Sequence, residues 1–172
     1  LGSGTVNLPN GHPAQIAADV AMVDHMLEGR FLFGIGPGGL RSDQEVFGNL
    51  ELDRNAMFLE SINHILALWA GDAPYNLKGQ FWNISTEKTL IREAGQGVMV
   101  KPYQKPHPPI VVSVVVPHSK GVQAAAARGW TPITANFLQP VWAATHWPMY
   151  VKGCEQGGRK ADTADWRVCK SI

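Results

Sequence analysis

The stretch Ile110-Val-Val-Ser-Val-Val-Val116 is the most apolar run of the chain, and it decides the fold class. A short run rich in β-branched residues predicts a strand that is buried on both faces. A helix is predicted directly after it, from Ser119 through an alanine run to Arg128, and Gly129 ends that helix. A buried strand that leads into a helix is typical of an α/β protein with a parallel sheet.

The alternation continues towards the N-terminus. Apolar residues at helical spacing predict a helix that begins at Pro13 and ends before Gly29, and the run Arg30–Gly36 predicts a second buried strand. A further helix follows Asp53, its predicted N-cap, and ends at Gly71. The apolar stripes of these two helices are Ile16, Val20, Val23 and Leu27, and then Phe58, Ile62, Ile65 and Trp69.

Towards the C-terminus the pattern predicts a strand at Thr131–Thr134 and a helix from Pro140 to about Glu155, kinked at Pro148. A last strand begins at Trp166, and the first residues from Leu1 also have strand character. Five strands that alternate with four helices imply a parallel sheet with helical crossovers. Because the chain lacks an initiating methionine and both ends read as strand, we expect a piece cut from a longer protein.

Residues 72–109 interrupt the alternation. Proline and glycine punctuate short aromatic stretches such as Gln80-Phe-Trp-Asn-Ile84, which predicts a long excursion that contains one hairpin. A loop of this length inside a compact domain is more often functional than not.

Composition excludes several classes of partner. Fifteen Lys and Arg residues against fourteen Asp and Glu give a net charge of +1, and no block of like charge suggests nucleic acid or a lipid surface. Cys154 and Cys169 follow no zinc or disulfide pattern, so we expect a reducing cytoplasm. No apolar run approaches the roughly 18 residues of a membrane span. The sequence therefore predicts a soluble protein that binds small molecules.

The segment Gly34-Ile-Gly-Pro-Gly-Gly39 matches the glycine pattern of dinucleotide-binding turns. Three features disfavour that function: Pro37 lacks an N–H for a pyrophosphate, Leu40–Asn49 carries no apolar stripe for a helix, and no acidic residue closes a following strand. We interpret the segment as a glycine-rich turn at the carboxyl end of a strand, where ligands bind in parallel α/β folds.

Pro117-His118-Ser119-Lys120-Gly121 lies between the most apolar strand and its helix. Free N–H groups at a helix start, a hydroxyl and a lysine can bind a phosphate. An ordinary serine N-cap beside a solvated lysine explains the same residues, and the sequence leaves both interpretations open.

The remaining polar residues give weak signals. His25 and His64 lie beside apolar stripes and are expected to be packed or solvated rather than catalytic, and His107 and His146 have no carboxylate at ligand spacing. No metal site is indicated. Because the chain has no Gly-x-Ser-x-Gly elbow and Ser113 is expected to face the sheet interior or a barrel lumen, a serine hydrolase is disfavoured.

The N-terminal residues carry a family resemblance. Leu1-Gly-Ser-Gly-Thr-Val-Asn-Leu-Pro-Asn-Gly-His-Pro13, followed by Ala18–Gly36, resembles the third strand, helix and fourth strand of the bacterial luciferase-like flavin-dependent monooxygenases. The likeness covers nearly the whole chain, and it continues in order through Val46-Phe-Gly48, the Arg54 helix, Gly79-Gln-Phe-Trp82, Lys105-Pro-His-Pro-Pro-Ile110 and Ala124-Ala-Ala-Ala-Arg-Gly-Trp130.

The resemblance implies a (β/α)8 TIM barrel, of which residues 1–172 are an internal part spanning about strands 3 to 7, with the family's insertion at about 72–109. It implies a monooxygenase that uses O2 and reduced FMN, supplied by a separate NAD(P)H-dependent flavin reductase, to oxygenate a small apolar substrate. It also implies a homodimer.

Candidate site residues follow from the same resemblance. The FMN phosphate is expected at Pro117, His118, Ser119 and Gly121, and a non-proline cis peptide at Gly4 and Thr5 beneath the isoalloxazine ring. Gly36, Pro37 and Leu40 are expected at the flavin face and phosphate side, and Asn136 beside the ring.

One position departs from the family pattern. Gly36 stands where luciferases have a reactive cysteine, which favours a non-luminous relative, similar to the limonene monooxygenases, that acts on terpenes or other apolar compounds. The family's catalytic histidine lies on an earlier strand, so no catalytic residue is named.

Three alternatives remain at this point. One is a deazaflavin (F420)-dependent oxidoreductase of the same superfamily, which transfers hydride. Another is a non-catalytic flavin-binding subunit. The third is a half-barrel that is stable as it stands and pairs with a partner.

Overall fold

The computed structural model describes residues 1–169, so the end of the strand predicted from Trp166 lies outside the described residues. The strands are β1 (Val6–Asn7), β2 (Phe33–Gly36), β3 (Asn76–Leu77), β4 (Ile84–Ser85), β5 (Ile110–Val114), β6 (Thr131–Thr134) and β7 (Arg167–Val168). The helices are α1 (Pro13–Met26), α2 (Arg41–Val46), α3 (Arg54–Ala70), α4 (Lys120–Ala127), α5 (Pro140–Ala143) and α6 (His146–Gln156). Short 3-10 turns lie at Leu8–Asn10, Arg92–Ala94 and Thr163–Asp165.

The chain forms two compact units. The first contains Leu1, Val6–Phe31 and Gly36–Pro108, and the second contains, among the described residues, Gly2–Thr5, Leu32–Ile35 and 109–169. Among residues 1–169, no helix combines the length and the apolar character that crossing a membrane requires.

In the first unit, α1 and α3 pack against each other. The predicted caps are present: Pro13 is the first residue of α1, and the Asp53 carboxylate accepts hydrogen bonds from the first turn of α3. The buried face of α1 differs from the predicted stripe, because Ala17, Ala21 and Asp24 are buried while Val23 is only half-buried. The small side chain of Ala17 lets α3 approach, and Trp69 Nε1 donates to Ala17 O at 3.1 Å.

Asp24 is fully buried within the first unit. Its carboxylate accepts two hydrogen bonds from Gln104, one from the backbone N–H at 2.8 Å and one from the side-chain amide at 2.7 Å. The same amide also donates to Phe31 O. A buried carboxylate is tolerated only when it is hydrogen-bonded, so this pair fastens the end of the 72–109 excursion to α1.

Replacing Asp24 with alanine is expected to lower the free energy of unfolding by about 2 kcal/mol, because two donors of Gln104 lose their acceptor in a buried place. Asp19→Ala is the matched control on the same helix, since Asp19 is exposed and only pairs with Gln15. Urea denaturation of both variants measures the difference. Equal losses would contradict a structural role for the Asp24–Gln104 pair.

The 72–109 excursion contains the predicted hairpin, formed by β3 and β4 in antiparallel register. The turn between these two strands is held by Glu60 of α3. The Glu60 carboxylate accepts hydrogen bonds from the N–H groups of Gln80, Phe81 and Trp82 at 2.7 to 2.9 Å. His64 is buried beside it and contacts Trp82 O at 3.1 Å, so it is packed as expected.

The expectation that no helix follows the glycine-rich turn is wrong. Helix α2 begins at Arg41, one residue after Leu40. None of its residues is buried, so it lies on the surface and needs no apolar stripe, which is why periodicity did not reveal it.

The second unit contains a parallel sheet in the order β2, β5, β6, β7. Gly34 pairs with Val111 between β2 and β5, and Ser113 pairs with Ile133 between β5 and β6. An isolated parallel bridge joins Gly2 to Leu32. The predicted parallel α/β arrangement is therefore confirmed.

The outer face of this sheet is covered by α4 and α6. Val114, Val122, Ala126, Tyr150 and Cys154 form one buried cluster. Burial, together with the neighbouring Cys154 thiol, raises the pKa of Tyr150 to about 12, so its hydroxyl stays neutral inside the cluster.

Two predicted boundaries are wrong. Strand β5 ends at Val114 rather than Val116, because Val115 and Val116 are half exposed and already belong to the turn. The helix predicted to kink at Pro148 is two helices separated at Ala144 and Thr145. Pro148 lies in the first turn of α6, where the missing N–H costs no helical hydrogen bond.

Candidate active site at the carboxyl ends of the parallel strands

A cavity of 560 Å³ lies within the second unit. Because β2, β5, β6 and β7 are parallel, their carboxyl ends meet at one edge of the sheet, which is where ligands bind in such folds. The lining residues are Gly2, Ser3, Gly4, Thr5, Leu32, Gly34, Val111, Ser113, Ile133, Thr134, Ala135, Asn136 and Cys169.

The alternation of side chains along β5 produces one wall of this cavity. Val111 and Ser113 face it, whereas Ile110, Val112 and Val114 are buried on the opposite face. Ser113 therefore lines the cavity, as its predicted position towards a lumen requires. The wall is mostly apolar with a single hydroxyl on this strand.

A second wall is held by a close contact between Ser3 and Gly34. The Ser3 hydroxyl donates to Gly34 O and accepts from Gly34 N–H, both at 2.9 Å. A Cβ on Gly34 would lie 1.8 Å from Ser3 O, so only glycine fits. The first glycine of the glycine-rich turn is thus explained by the approach of another backbone segment.

Three of the predicted cofactor residues line the cavity: Gly4, Thr5 and Asn136. The Gly4–Thr5 peptide bond is cis, as the family resemblance implies. Around Gly4, no atom lies within 4 Å of the place of a Cβ, so this edge of the cavity is open.

The end of β6 is tied to both neighbouring strands. Ala135 N–H donates to Val114 O at 3.0 Å, and Thr134 O accepts from Cys169 N–H at 3.0 Å. The Thr134 side chain is fully buried, and its hydroxyl contacts His146 Nδ1 at 3.0 Å. These bonds fix Thr134 and Ala135 at the cavity rim, directly before Asn136.

Four other predicted residues lie in the turn between β5 and α4, residues 117–121. They are Pro117, His118, Ser119 and Gly121. Ser119 is the N-cap of α4, and its hydroxyl accepts from Gly121 N–H at 3.2 Å. His118 has a left-handed backbone with φ of 50°, and its N–H donates to Thr145 Oγ1 at 2.9 Å. Lys120 and Gly121 are exposed. The serine cap is therefore present, and the turn remains open to a ligand.

The last three predicted residues belong to the first unit. Gly36 is the buried final residue of β2, Pro37 follows it, and Leu40 is 64% exposed just before α2. None of the three is among the residues that line the cavity of the second unit.

Sequence reasoning missed the residues that support this edge of the sheet, Ser3, Thr134 and His146. Ser3 stands between two glycines in a segment with strand character in the sequence, and that is the one signal that could have found it, because glycine neighbours indicate close backbone approach. His146 gave no signal, since both of its partners are distant in sequence. Within residues 1–169, no three His, Cys, Asp or Glu side chains gather as a metal site would require.

A parallel α/β sheet with a cavity beside its strands is typical of α/β enzymes, both barrels and open sheets. The family model of the luciferase-like monooxygenases matches residues 1–169, and the chain belongs to that family. It is part of a (β/α)8 barrel of the luciferase-like type, which confirms the predicted fold.

Three curated relatives illustrate the likeness. 4-Hydroxyprotoasukamycin monooxygenase of Streptomyces nodosus subsp. asukaensis is 28% identical over 177 residues, covering 100% of this chain and 45% of that protein. Limonene 1,2-monooxygenase of Rhodococcus erythropolis is 27% identical over 98% of this chain and 41% of its own length. The oxygenase component of the flavin-dependent trigonelline monooxygenase of Acinetobacter baylyi is 33% identical over 69% of this chain and 31% of its own length. The chain spans less than half of these relatives.

Solved structures show the same fold. The oxygenating constituent of 3,6-diketocamphane monooxygenase of Pseudomonas putida, in complex with FMN, superposes with a TM-score of 0.85 at 24% identity, covering 97% of this chain and 46% of that one. An F420-dependent secondary alcohol dehydrogenase superposes with a TM-score of 0.67 at 22% identity, covering 91% and 43%.

Proposed function

We propose that the protein is a flavin-dependent monooxygenase that uses reduced FMN and O2 to oxygenate a small apolar organic substrate. The observation that carries this proposal is the match to the luciferase-like monooxygenase family across residues 1–169. Two relatives named as monooxygenases align with nearly the whole chain, which supports an oxidoreductase of this kind.

The described residues fit FMN. The cavity volume of 560 Å³ lies in the range of about 300–1,000 Å³ that is usual for small-molecule sites. Leu32, Val111 and Ile133 give it apolar walls, and Ser113 and Asn136 add a few polar groups. Such a composition suits a planar aromatic ring with polar edges.

The turn at residues 117–121 fits the phosphate. It precedes α4, so the partial positive charge of the helix start favours an anion there. The exposed Lys120 adds a cation, and Gly121 leaves room because a Cβ at that position would contact only Ser119 Oγ. We assign the phosphate to this turn and the ring to the cavity edge at Gly4, Thr5 and Asn136.

When bound, reduced flavin supplies two electrons and two hydrogens, so that one atom of O2 enters the substrate and the other leaves as water. The residues of this chain would hold the ring, and the apolar side chains of Leu32, Val111 and Ile133 would cover part of it from solvent. The proposal includes a separate NAD(P)H-dependent reductase that would supply reduced FMN, a partner that the name of the Acinetobacter oxygenase component supports. A homodimer is part of the proposal.

A second candidate is hydride transfer with a deazaflavin, without oxygen. It is favoured by the structural likeness to the F420-dependent alcohol dehydrogenase, although the TM-score is lower than that of the FMN-bound monooxygenase. A third candidate is a flavin-binding subunit without turnover.

The cofactor test uses the protein with FMN, riboflavin and the deazaflavin. We expect FMN to bind at least tenfold more tightly than riboflavin, because the two differ only in the phosphate that the 117–121 turn holds. Fluorescence titration measures both dissociation constants.

The turnover test adds NADH, a flavin reductase and limonene as a probe of small apolar substrates. Oxygen uptake that depends on the substrate supports the monooxygenase. Hydride transfer to or from the deazaflavin without oxygen uptake would replace it with the second candidate, and tight FMN binding without turnover on any apolar substrate would favour the third.

A further inference from the structure

His146 is fully buried and makes two hydrogen bonds that join separate elements. Its Nε2 lies 2.7 Å from Val116 O, at the start of the turn between β5 and α4. Its Nδ1 lies 3.0 Å from Thr134 Oγ1, at the end of β6. A carbonyl oxygen only accepts, so Nε2 carries a proton, and in the neutral ring Nδ1 accepts from the Thr134 hydroxyl.

The residue before it holds the same turn at a second point. Thr145 Oγ1 accepts the N–H of His118 at 2.9 Å and donates to Trp142 O at 2.6 Å. Val116 and His118 therefore bond to two adjacent residues at the junction of α5 and α6. We call Thr145 and His146 the junction pair.

Packing holds this turn only in part, because Pro117 and Ser119 are half-buried while Lys120 and Gly121 are exposed. Val115 and Val116 are 50% and 52% exposed, and His118 is exposed with a left-handed backbone that a non-glycine residue adopts only at some cost. Hydrogen bonds from the junction pair are thus the means by which an exposed, unfavourable backbone shape is kept. An apolar side chain in place of His146 would fill the core, so a histidine here is explained by what its two nitrogens bind.

The pair also links the two parts of the site. Thr134 lines the cavity, and through His146 its hydroxyl is connected to the carbonyl at the start of the turn. His146 therefore adds a second connection between the cavity rim and the turn, beside the hydrogen bond from Ala135 N–H to Val114 O.

We propose that Thr145 and His146 are positioning residues that shape the 117–121 turn for the phosphate group of the flavin and fix it relative to the Thr134 rim. This inference rests on the proposed function, because it takes the 117–121 turn to be the phosphate-binding site. It adds two residues that touch neither the ring nor the phosphate.

The test compares Thr145→Val, which keeps the side-chain shape but removes the hydroxyl, with Thr145→Ser, which keeps the hydroxyl. His146→Leu is the third variant. For each variant of the protein, dissociation constants are measured for FMN and for riboflavin, which carries the same ring without the phosphate. Thermal melting reports whether each variant folds.

Thr145→Val and His146→Leu are expected to weaken FMN binding by about tenfold each, as the loss of one or two hydrogen bonds predicts, and to leave riboflavin binding within about twofold. Thr145→Ser is expected to keep wild-type affinity for both ligands. A merely structural role would move both dissociation constants together, so the ratio of the two is the decisive readout.

Unchanged FMN affinity in Thr145→Val, or an equal loss for both ligands, would overturn the inference. If His146→Leu does not fold, the two Thr145 variants decide. A wild-type protein that binds FMN no better than riboflavin would refute the assignment of the phosphate to the 117–121 turn, and with it the inference. Wild-type preference for FMN that Thr145→Val retains would refute the inference alone.

Discussion

Replacing Gly34 with alanine is expected to lower the free energy of unfolding by about 4 kcal/mol or more, the largest effect of any single methyl group considered for this protein. The new Cβ would lie 1.8 Å from Ser3 O and 3.0 Å from Ser3 C. Backbone atoms cannot rotate away as a side chain can. Ser3 is also held by its N–H bond to Leu32 O at 3.2 Å and by its two hydroxyl bonds to Gly34.

Gly39→Ala is the matched control, because Gly39 belongs to the same glycine-rich turn, is exposed, and has no atom within 4 Å of a new Cβ. It is expected to change stability by less than about 0.5 kcal/mol. Urea denaturation followed by tryptophan fluorescence compares the two variants. Similar stability of both would show that Ser3 does not approach Gly34 as described.

Replacing Glu60 with alanine is expected to lower the free energy of unfolding by about 3 kcal/mol, because three backbone N–H groups lose a charged acceptor. The Glu60 carboxylate also lies close to the backbone of Gly79, since a Cβ on Gly79 would lie 2.1 Å from Glu60 Oε1. Limited proteolysis within residues 79–83 should accelerate in the variant, because the first turn of the excursion is released. An unchanged cleavage rate would argue against Glu60 as its anchor.

The contribution of Glu60 also depends on pH. Burial alone would raise the pKa of Glu60, but hydrogen bonds from Trp82, Phe81 and Gln80, together with the charge of His64, outweigh it and lower the pKa below its ordinary value. A carboxyl group whose pKa is lowered on folding stabilises the fold above its unfolded pKa and loses that effect as the pH falls through the folded value.

The stability difference between the wild type and Glu60→Gln is therefore expected to be constant near neutral pH and to shrink below about pH 4.5. Glu45→Gln, on the exposed surface of α2, is the control for removing one surface charge and should show a small difference in stability. Denaturation midpoints across this pH range provide the measurement. A difference that grows with acidity would contradict the assigned hydrogen bonds.

The parts of the fold that the sequence predicts are those set by local periodicity. The run at Ile110, the caps at Pro13 and Asp53 and the hairpin near Gln80 depend on near neighbours, and the structure contains all of them. Asp24 and Gln104 lie 80 residues apart, so no local pattern joins them. The break at Ala144 and Thr145 was also missed, because proline in a first helical turn resembles a proline kink when the helix start is unknown.

The residues of the candidate site also fall into those that the sequence predicts and those that it does not. The cavity edge at Gly4, Thr5 and Asn136 follows from the family resemblance, and the structure brings these residues together. The Ser3–Gly34 contact and the hydrogen bonds of the junction pair depend on the tertiary structure, so no local sequence pattern reveals them. The sequence shows a glycine or a histidine at these positions, but it does not show which residue each of them contacts.

Oxygen labelling tests whether the protein oxygenates its substrate with reduced FMN. The full protein is supplied with reduced FMN, limonene and ¹⁸O2, and the product is analysed by mass spectrometry. We expect a product that contains one ¹⁸O atom, with the second labelled atom in water. A product that is oxidised or reduced without any ¹⁸O, formed with a deazaflavin in place of FMN, would contradict it.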